Sequence, residues 1–202
     1  MALIAGKIGS QNFELIRDRI ALILADEIST QAAMAPLTPE LNATVYTERF
    51  VPFSHTNMPC VNVIFSRGNF EAQYTQQNLA VHQYFVDVYA SAKTEGTTGG
   101  DELASKKLHR LCGIVLQILE NPQYRTLAFA PPSIQHTKVV DISIQQPQNG
   151  QDATSVIMGR VTFDVHIPEK TSLLTAVNIG GWTTSVGMDD SGKGYEFSKV
   201  IV

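Results

Sequence analysis

The sequence predicts an α+β fold: an antiparallel β-sheet covered on one face by two α-helices, with a β-prone C-terminal extension. Three observations carry that expectation. Residues 152–168, DATSVIMGRVTFDVHIP, alternate apolar and polar side chains and follow a Gln148-Asn149-Gly150 turn. Period-two alternation marks a strand with one buried and one wet face, and Asn-Gly is a strong short-range hairpin signal. Two other stretches, 12–30 and 101–120, place apolar residues at offsets of three and four, which lines one face of a helix. The remaining apolar runs are short, β-branched and aromatic, as strands require.

The first helix carries Phe13, Ile16, Ile20, Ile23, Leu24 and Glu27/Ile28 on its stripe, with Arg17, Asp18 and Arg19 on the wet side. Ser10 or Asn12 is the expected cap, and Pro36 and Pro39 mark the loop beyond. Two strands follow, Thr44 to Val51 and Pro59 to Phe65, separated by the turn-rich PFSHTNM. Ser66 to Asn78 is a polar excursion, either a flexible loop or a short ribbon projecting from the sheet. Leu79 to Ala90, LAVHQYFVDVYA, is the third strand. Lys93 to Gly100 is a hinge-like connector, and Asp101 is the expected cap of a helix running to Glu120. Its stripe is Leu103, Lys107, Leu108, Leu111, Cys112, Val115, Ile118 and Leu119, and Asn121-Pro122 ends it. A long strand, Ile134 to Gln146, then turns at Pro147 to Gln151 into the alternating strand. Ser155, Ile157, Gly159, Val161, Phe163, Val165 and Ile167 fall on one of its faces. Val156, Met158, Arg160, Thr162, Asp164 and His166 fall on the other.

These elements make one domain over residues 1–168. Residues 169–202 form a Gly-rich extension holding five of the chain's 14 glycines and closing on YEFSKVIV. That extension is either a satellite hairpin or an arm that finds its partner on another molecule. A free β-prone octamer is an aggregation hazard unless something accepts it. The expectation is therefore that Tyr195 to Val202 adds to a neighbouring subunit's sheet, the alternative being pairing with Leu173 to Ile179 in its own chain.

Charged residues make up 17% of the 202, below the usual quarter, and the net charge is −4. Low charge density suits extensive protein–protein contact, and a negative balance does not suit duplex nucleic acid. Cys60 and Cys112 stand in apolar runs and read as buried free thiols. The N-terminal MALIAGKIGSQNF lacks a signal-peptide core, and no stretch approaches a membrane span, so a start in a reducing cytoplasm is expected.

No catalytic, metal or cofactor motif emerges. The histidines are not read as a metal site, and sheet-surface or helix-face roles are expected for His82, His109 and His166. Asp87, Asp141 and Asp164 lie in three strands, where acids on a wet face are commonplace, and no partner motif accompanies them. Gly96 to Asp101 precedes a helix but lacks a P-loop's Gly-Lys-Ser/Thr. The features with functional content are exposed aromatics. Arg67, Phe70 and Tyr74, among Gln73, Gln76 and Gln77, occupy the polar excursion, and Trp182, Tyr195 and Phe197 occupy the extension. Such side chains in polar surroundings ask for a partner surface.

The succession FELIRDRIALIL, NMPCVNVIFSRG, QYFVDVYA, ELASKKLHRLCGIVLQIL and MGRVTFDVHI resembles the tail terminator (tail completion) proteins of long-tailed bacteriophages and contractile tail-like particles. The resemblance covers about residues 12 to 168 and is one of element order, without an invariant motif. It implies a structural, non-enzymatic virion protein assembled in the bacterial host cytoplasm. Such a protein forms a ring, usually a hexamer, that caps the tail-tube protein, ends its polymerisation and presents a surface to the head-completion or neck protein. The terminal strand Tyr195 to Val202 makes a contractile-sheath protein a further expected partner, as an alternative to the adjacent subunit. Neither a membrane nor sequence-specific nucleic acid is implied, although the genome passes through such a ring. Other neck or head–tail connector proteins and tail-tube subunits share parts of the pattern, and the extension from Glu169 departs from compact members.

Overall fold

The computed structural model describes residues 9–34, 42–50, 53, 58–71, 78–93, 95–96, 98–129, 133–145, 154–169, 183–188 and 195–200. They fall into two compact units, one spanning Ser10–Lys170 and one containing the C-terminal strands. The first unit runs α1 (Asn12–Met34), β1 (Thr44–Thr47), β2 (Cys60–Glu71), β3 (Asn78–Lys93), α2 (Gly100–Leu119), a 3₁₀ turn (Pro122–Tyr124), β4 (His136–Gln145) and β5 (Thr154–Glu169). The second contains β6 (Thr183–Met188) and β7 (Tyr195–Val200), paired antiparallel.

One five-stranded sheet has the order β1-β2-β3-β5-β4. Antiparallel pairing joins β2 to β3, β3 to β5 and β5 to β4, whereas β1 pairs parallel to β2. The sheet is thus α+β as expected but mixed at one edge. A parallel neighbour cannot be reached by a tight turn, so residues 48–59 form a crossover rather than a hairpin loop. Glu48, at φ +50°, ends β1 four residues in, short of the expected Val51. The Asn62 side chain then holds the departing chain. Its Oδ1 accepts from the Arg49 N–H at 3.2 Å, and its Nδ2 donates to the Arg49 carbonyl at 2.9 Å.

Both helices pack on one face. Ile16, Ile20, Ile23, Leu24 and Ile28 of α1 and Leu108, Leu111, Cys112, Val115, Ile118 and Leu119 of α2 are buried there. They meet Val61, Val63, Tyr84, Val86 and Val88 from β2 and β3 and Ile157, Val161, Phe163, Val165 and Ile167 from β5. The β5 alternation holds position by position: the odd-numbered set from Ile157 to Ile167 is buried and the even-numbered set is half-buried. α1 lies over β1 and β2 while α2 lies over β3 and β5. Gly159 permits the close approach of α2, since a Cβ there would stand 2.8 Å from Cys112 Sγ.

Several local expectations shift. The α1 N-terminus is held by Glu14, whose carboxylate accepts the Gln11 N–H at 2.7 Å, one arm of a capping box. The α2 cap is Gly99 without a side-chain cap bond, so Asp101 is inside the first turn, where its charge still suits the helix dipole. Arg17 and Arg19 are ties rather than wet-side ornaments. Arg17 reaches Asp18 and Glu48, and Arg19 Nε donates at 3.0 Å to the carbonyl of Leu127, a left-handed residue at φ +49°. Asn121 caps the 3₁₀ turn that follows α2. The expected turn at Pro147 to Gln151 lies outside the described residues, but the strands on its two sides pair as a hairpin must.

Within its own chain the described part of the C-terminal octamer has a strand partner other than Leu173 to Ile179. Tyr195–Val200 pairs with Thr183–Met188 of the same chain, in the register Tyr195↔Met188 and Phe197↔Val186. The satellite-hairpin reading holds for this segment. Two β-prone runs separated by a short Gly-rich span find each other at lower loop-closure cost than a distant strand would.

Candidate assembly interface

The described half of the polar excursion is part of the main sheet, because the β3 residues it pairs with are paired with β5 on their other side. That half, Ser66 to Glu71, continues β2 past a bulge between Phe65 and Arg67 and pairs with β3, placing Arg67 opposite Gln83 and Phe70 opposite Ala80. Arg67 is exposed, and Phe70 is 60% exposed. Phe70 packs edge-on against His82 at 5.9 Å between ring centroids, over Gly68, whose missing Cβ leaves room for both rings. Behind them Phe13, Phe65, His82 and Tyr84 form a contiguous aromatic layer, with Phe13 stacked on Phe65 at 4.8 Å. Phe70 is therefore a fixed knob on a rigid base. Tyr74, Gln73, Gln76 and Gln77 lie outside the described residues, as does Trp182, while Tyr195 and Phe197 are on β7 of the second unit.

A second aromatic group, which sequence reading missed, lies at the opposite end of β2. Arg49 has its guanidinium 4.7 Å from the Tyr46 ring centroid and 4.6 Å from that of Phe53, and Phe53 meets Tyr89 at 4.7 Å. Arg49, Phe53 and Tyr89, with Phe50, Met58, Ile64 and Val156, line an open hollow on the face away from the helices. Phe50 is 77% exposed. The segment PFSHTNM reads as a turn, and its neighbouring aromatics carry no periodicity that would reveal a cluster. Only the crossover brings them together.

The rest of the face away from the helices is polar and internally matched. Arg160 donates from Nε and Nη2 to the two Asp87 carboxylate oxygens at 2.7 and 2.8 Å and places its guanidinium 4.1 Å from the Phe85 ring centroid. This charge-assisted pairing, against the cost of its burial, raises the Arg160 pKa. Gln83 Nε2 donates to Asp164 at 3.0 Å, and His136 stacks on His166 at 3.9 Å. Of the three strand aspartates, Asp87 corrects the expectation of a wet face, being 1% exposed. Both its oxygens are engaged with Arg160, which suits it to structure rather than proton transfer. Asp141 is exposed.

The two cysteines are free and buried. Burial pushes the Cys60 thiol up to about 12 and the Cys112 thiol to about 11, so neither supplies a thiolate near neutrality. Among the described residues no group of three or more His, Cys, Asp or Glu could hold a metal ion, and no helix is long and apolar enough to cross a membrane. What the surface offers is contact area. Besides the knob and the hollow, β4 presents Val140, Ile142 and Ile144 at 49, 39 and 40% exposure.

No family model matches this chain, and no curated protein matches it. Among solved structures it is similar to a chain of the virion of a native gene transfer agent particle, at 14% identity and a TM-score of 0.44, over 74% of this chain and 98% of that one.

Proposed function

We propose that this protein is a structural, non-catalytic virion subunit that forms a closed ring on the end of a phage-type tail tube, stops the tube's growth and presents a surface for the head. The element order from residue 12 to 168, with its tail-terminator resemblance, supports the role. The observation that carries the ring is the placement of two exposed aromatic features at opposite ends of β2: Phe70 on the helix-side face and the Phe50–Phe53 hollow on the other. A head-to-tail ring is heterologous, so each subunit needs two different surfaces that no single copy can bring into mutual contact. A rigid knob and an aromatic hollow meet that need, and buried aromatics contribute on the order of 2 kcal/mol each at such contacts.

The experiment is addition of the purified chain to growing tail tubes, with electron microscopy of their ends and lengths. A ring capping one end and arresting elongation is the expected result, lost on Phe70→Ser. Unlimited self-polymerisation into tubes would instead identify a tube subunit, and tubes that elongate with bare ends would overturn the proposal.

A further inference from the structure

β4 is one of the sheet's two edge strands and much longer than the other, β1, which has four residues. β4 is ten residues long, and among the described residues it pairs on one side alone, with β5. α2 reaches only its margin, so Val140, Ile142 and Ile144 stay 39–49% exposed, and among the described residues no strand pairs with the outer edge of β4. A long, β-branched, exposed edge is a template for another strand, and proteins ordinarily blunt it. The blunting devices on β4 are few: one bulge at Val140 and two opposite charges, Lys138 and Asp141, both exposed.

Those charges identify the occupant. The bulge between Val139 and Asp141 puts Lys138 and Asp141 on the same face, opposite Asp164 and Thr162 of β5. The strand is self-complementary about a point between Val139 and Val140. Antiparallel pairing with its own copy there sets Lys138 against Asp141 of the second copy, twice by symmetry. The same register places Val139 against Val140 at the bulge and Thr137 against Ile142, and the Lys138–Asp141 and Thr137–Ile142 pairs each keep to one face of the sheet. Opposite charges directly across a strand pair stabilise the register, and a one-residue slip sets side chains on the wrong faces.

We infer that the free protein is a two-fold dimer in which β4 pairs antiparallel with β4 of a second copy, joining two five-stranded sheets into one. The contact is isologous and so differs in kind from the heterologous contact of a ring. It closes the edge before assembly, and it stands or falls independently of the tail-capping role.

Sedimentation equilibrium of the intact chain tests it. The expected mass is twice the 22.1 kDa of one chain. Asp141→Lys alone, or Lys138→Glu alone, sets like charges across both symmetric contacts and weakens the dimer by at least about tenfold. An equimolar mixture of the two variants restores it, because each variant then faces the opposite charge. Independently of charge, chains carrying Thr137→Cys and Ile142→Cys form a mixed disulfide under mild oxidation, more readily than either does with itself. A wild-type monomer, a mixture that fails to reassociate although both variants fold, or preferential like-with-like cross-linking would each overturn the inference.

Discussion

β4 and β5 are the two arms of one hairpin, and Ile142 and Ile144 of β4 stand opposite Val161 and Gly159 on the helix-side face, yet the two strands end in different environments. Val161, Phe163 and Val165 of β5 are completely buried, while Ile142 and Ile144 of β4 are more than a third exposed. The difference is one of position. β5 is flanked by β3 and β4 and roofed by α2, and two helices are too few to roof five strands. Side-chain alternation sets which face a residue takes. Only the neighbouring layer decides whether that face is a core or an interface.

The largest effect that would sharpen the contrast comes from the buried ion pair. Removing the cation with Arg160→Met leaves the Asp87 carboxylate uncompensated in the sheet centre, at a cost of about 3 kcal/mol in urea unfolding. An unchanged midpoint would show that the centre of the sheet is no more demanding than its edge. Next is Gly159→Ala, whose added methyl meets Cys112 Sγ at 2.8 Å and Ile144 Cδ1 at 3.3 Å. A loss of about 1–3 kcal/mol is expected, and Cys112→Ala in the same chain should return part of it. A double variant no better than the single would mean that α2 does not bear on β5 at that point.

A smaller, pH-dependent effect comes from His82, also under the helices. Burial lowers its pKa from the ordinary 6.5. The unfolded chain then binds a proton that the folded chain refuses, so this contribution is fully present above about pH 6.5 and is lost as pH falls below it. The slope is at most about 1.4 kcal/mol per pH unit. Denaturation midpoints at pH 7.5 and 5.5 should diverge less for His82→Phe than for the wild type. The smallest effect belongs to the edge. Ile144→Thr should change the unfolding free energy by no more than about 0.5 kcal/mol, measured below the concentration at which the chain associates. A core-sized loss there would erase the distinction between the two arms.

Much of the fold was legible in local pattern. The stripes of α1 and α2, the two faces of β5, the hairpin around Asn149-Gly150, the burial of both cysteines and the end of α2 at Asn121-Pro122 are each specified within one or two turns or strand repeats. Phe70 was readable as an exposed aromatic because it stands in polar surroundings. The assembly surfaces were less so. Arg49, Phe50 and Phe53 are ordinary loop residues until the crossover carries them over Tyr89, and Ile142 and Ile144 are ordinary strand residues until they are found at an edge.

Taken by itself, the sequence determined element type, element order and which side chains share a face, because helical and strand periodicities are properties of neighbouring residues. Tertiary structure alone decided that β1 runs parallel to β2, that Tyr195–Val200 folds back on Thr183–Met188, and that β4 lies at the margin of α2. These depend on which distant segments compete for the same edge or face. That competition is settled by loop closure and by the area each helix can cover, and neither is recorded in the residues that end up exposed.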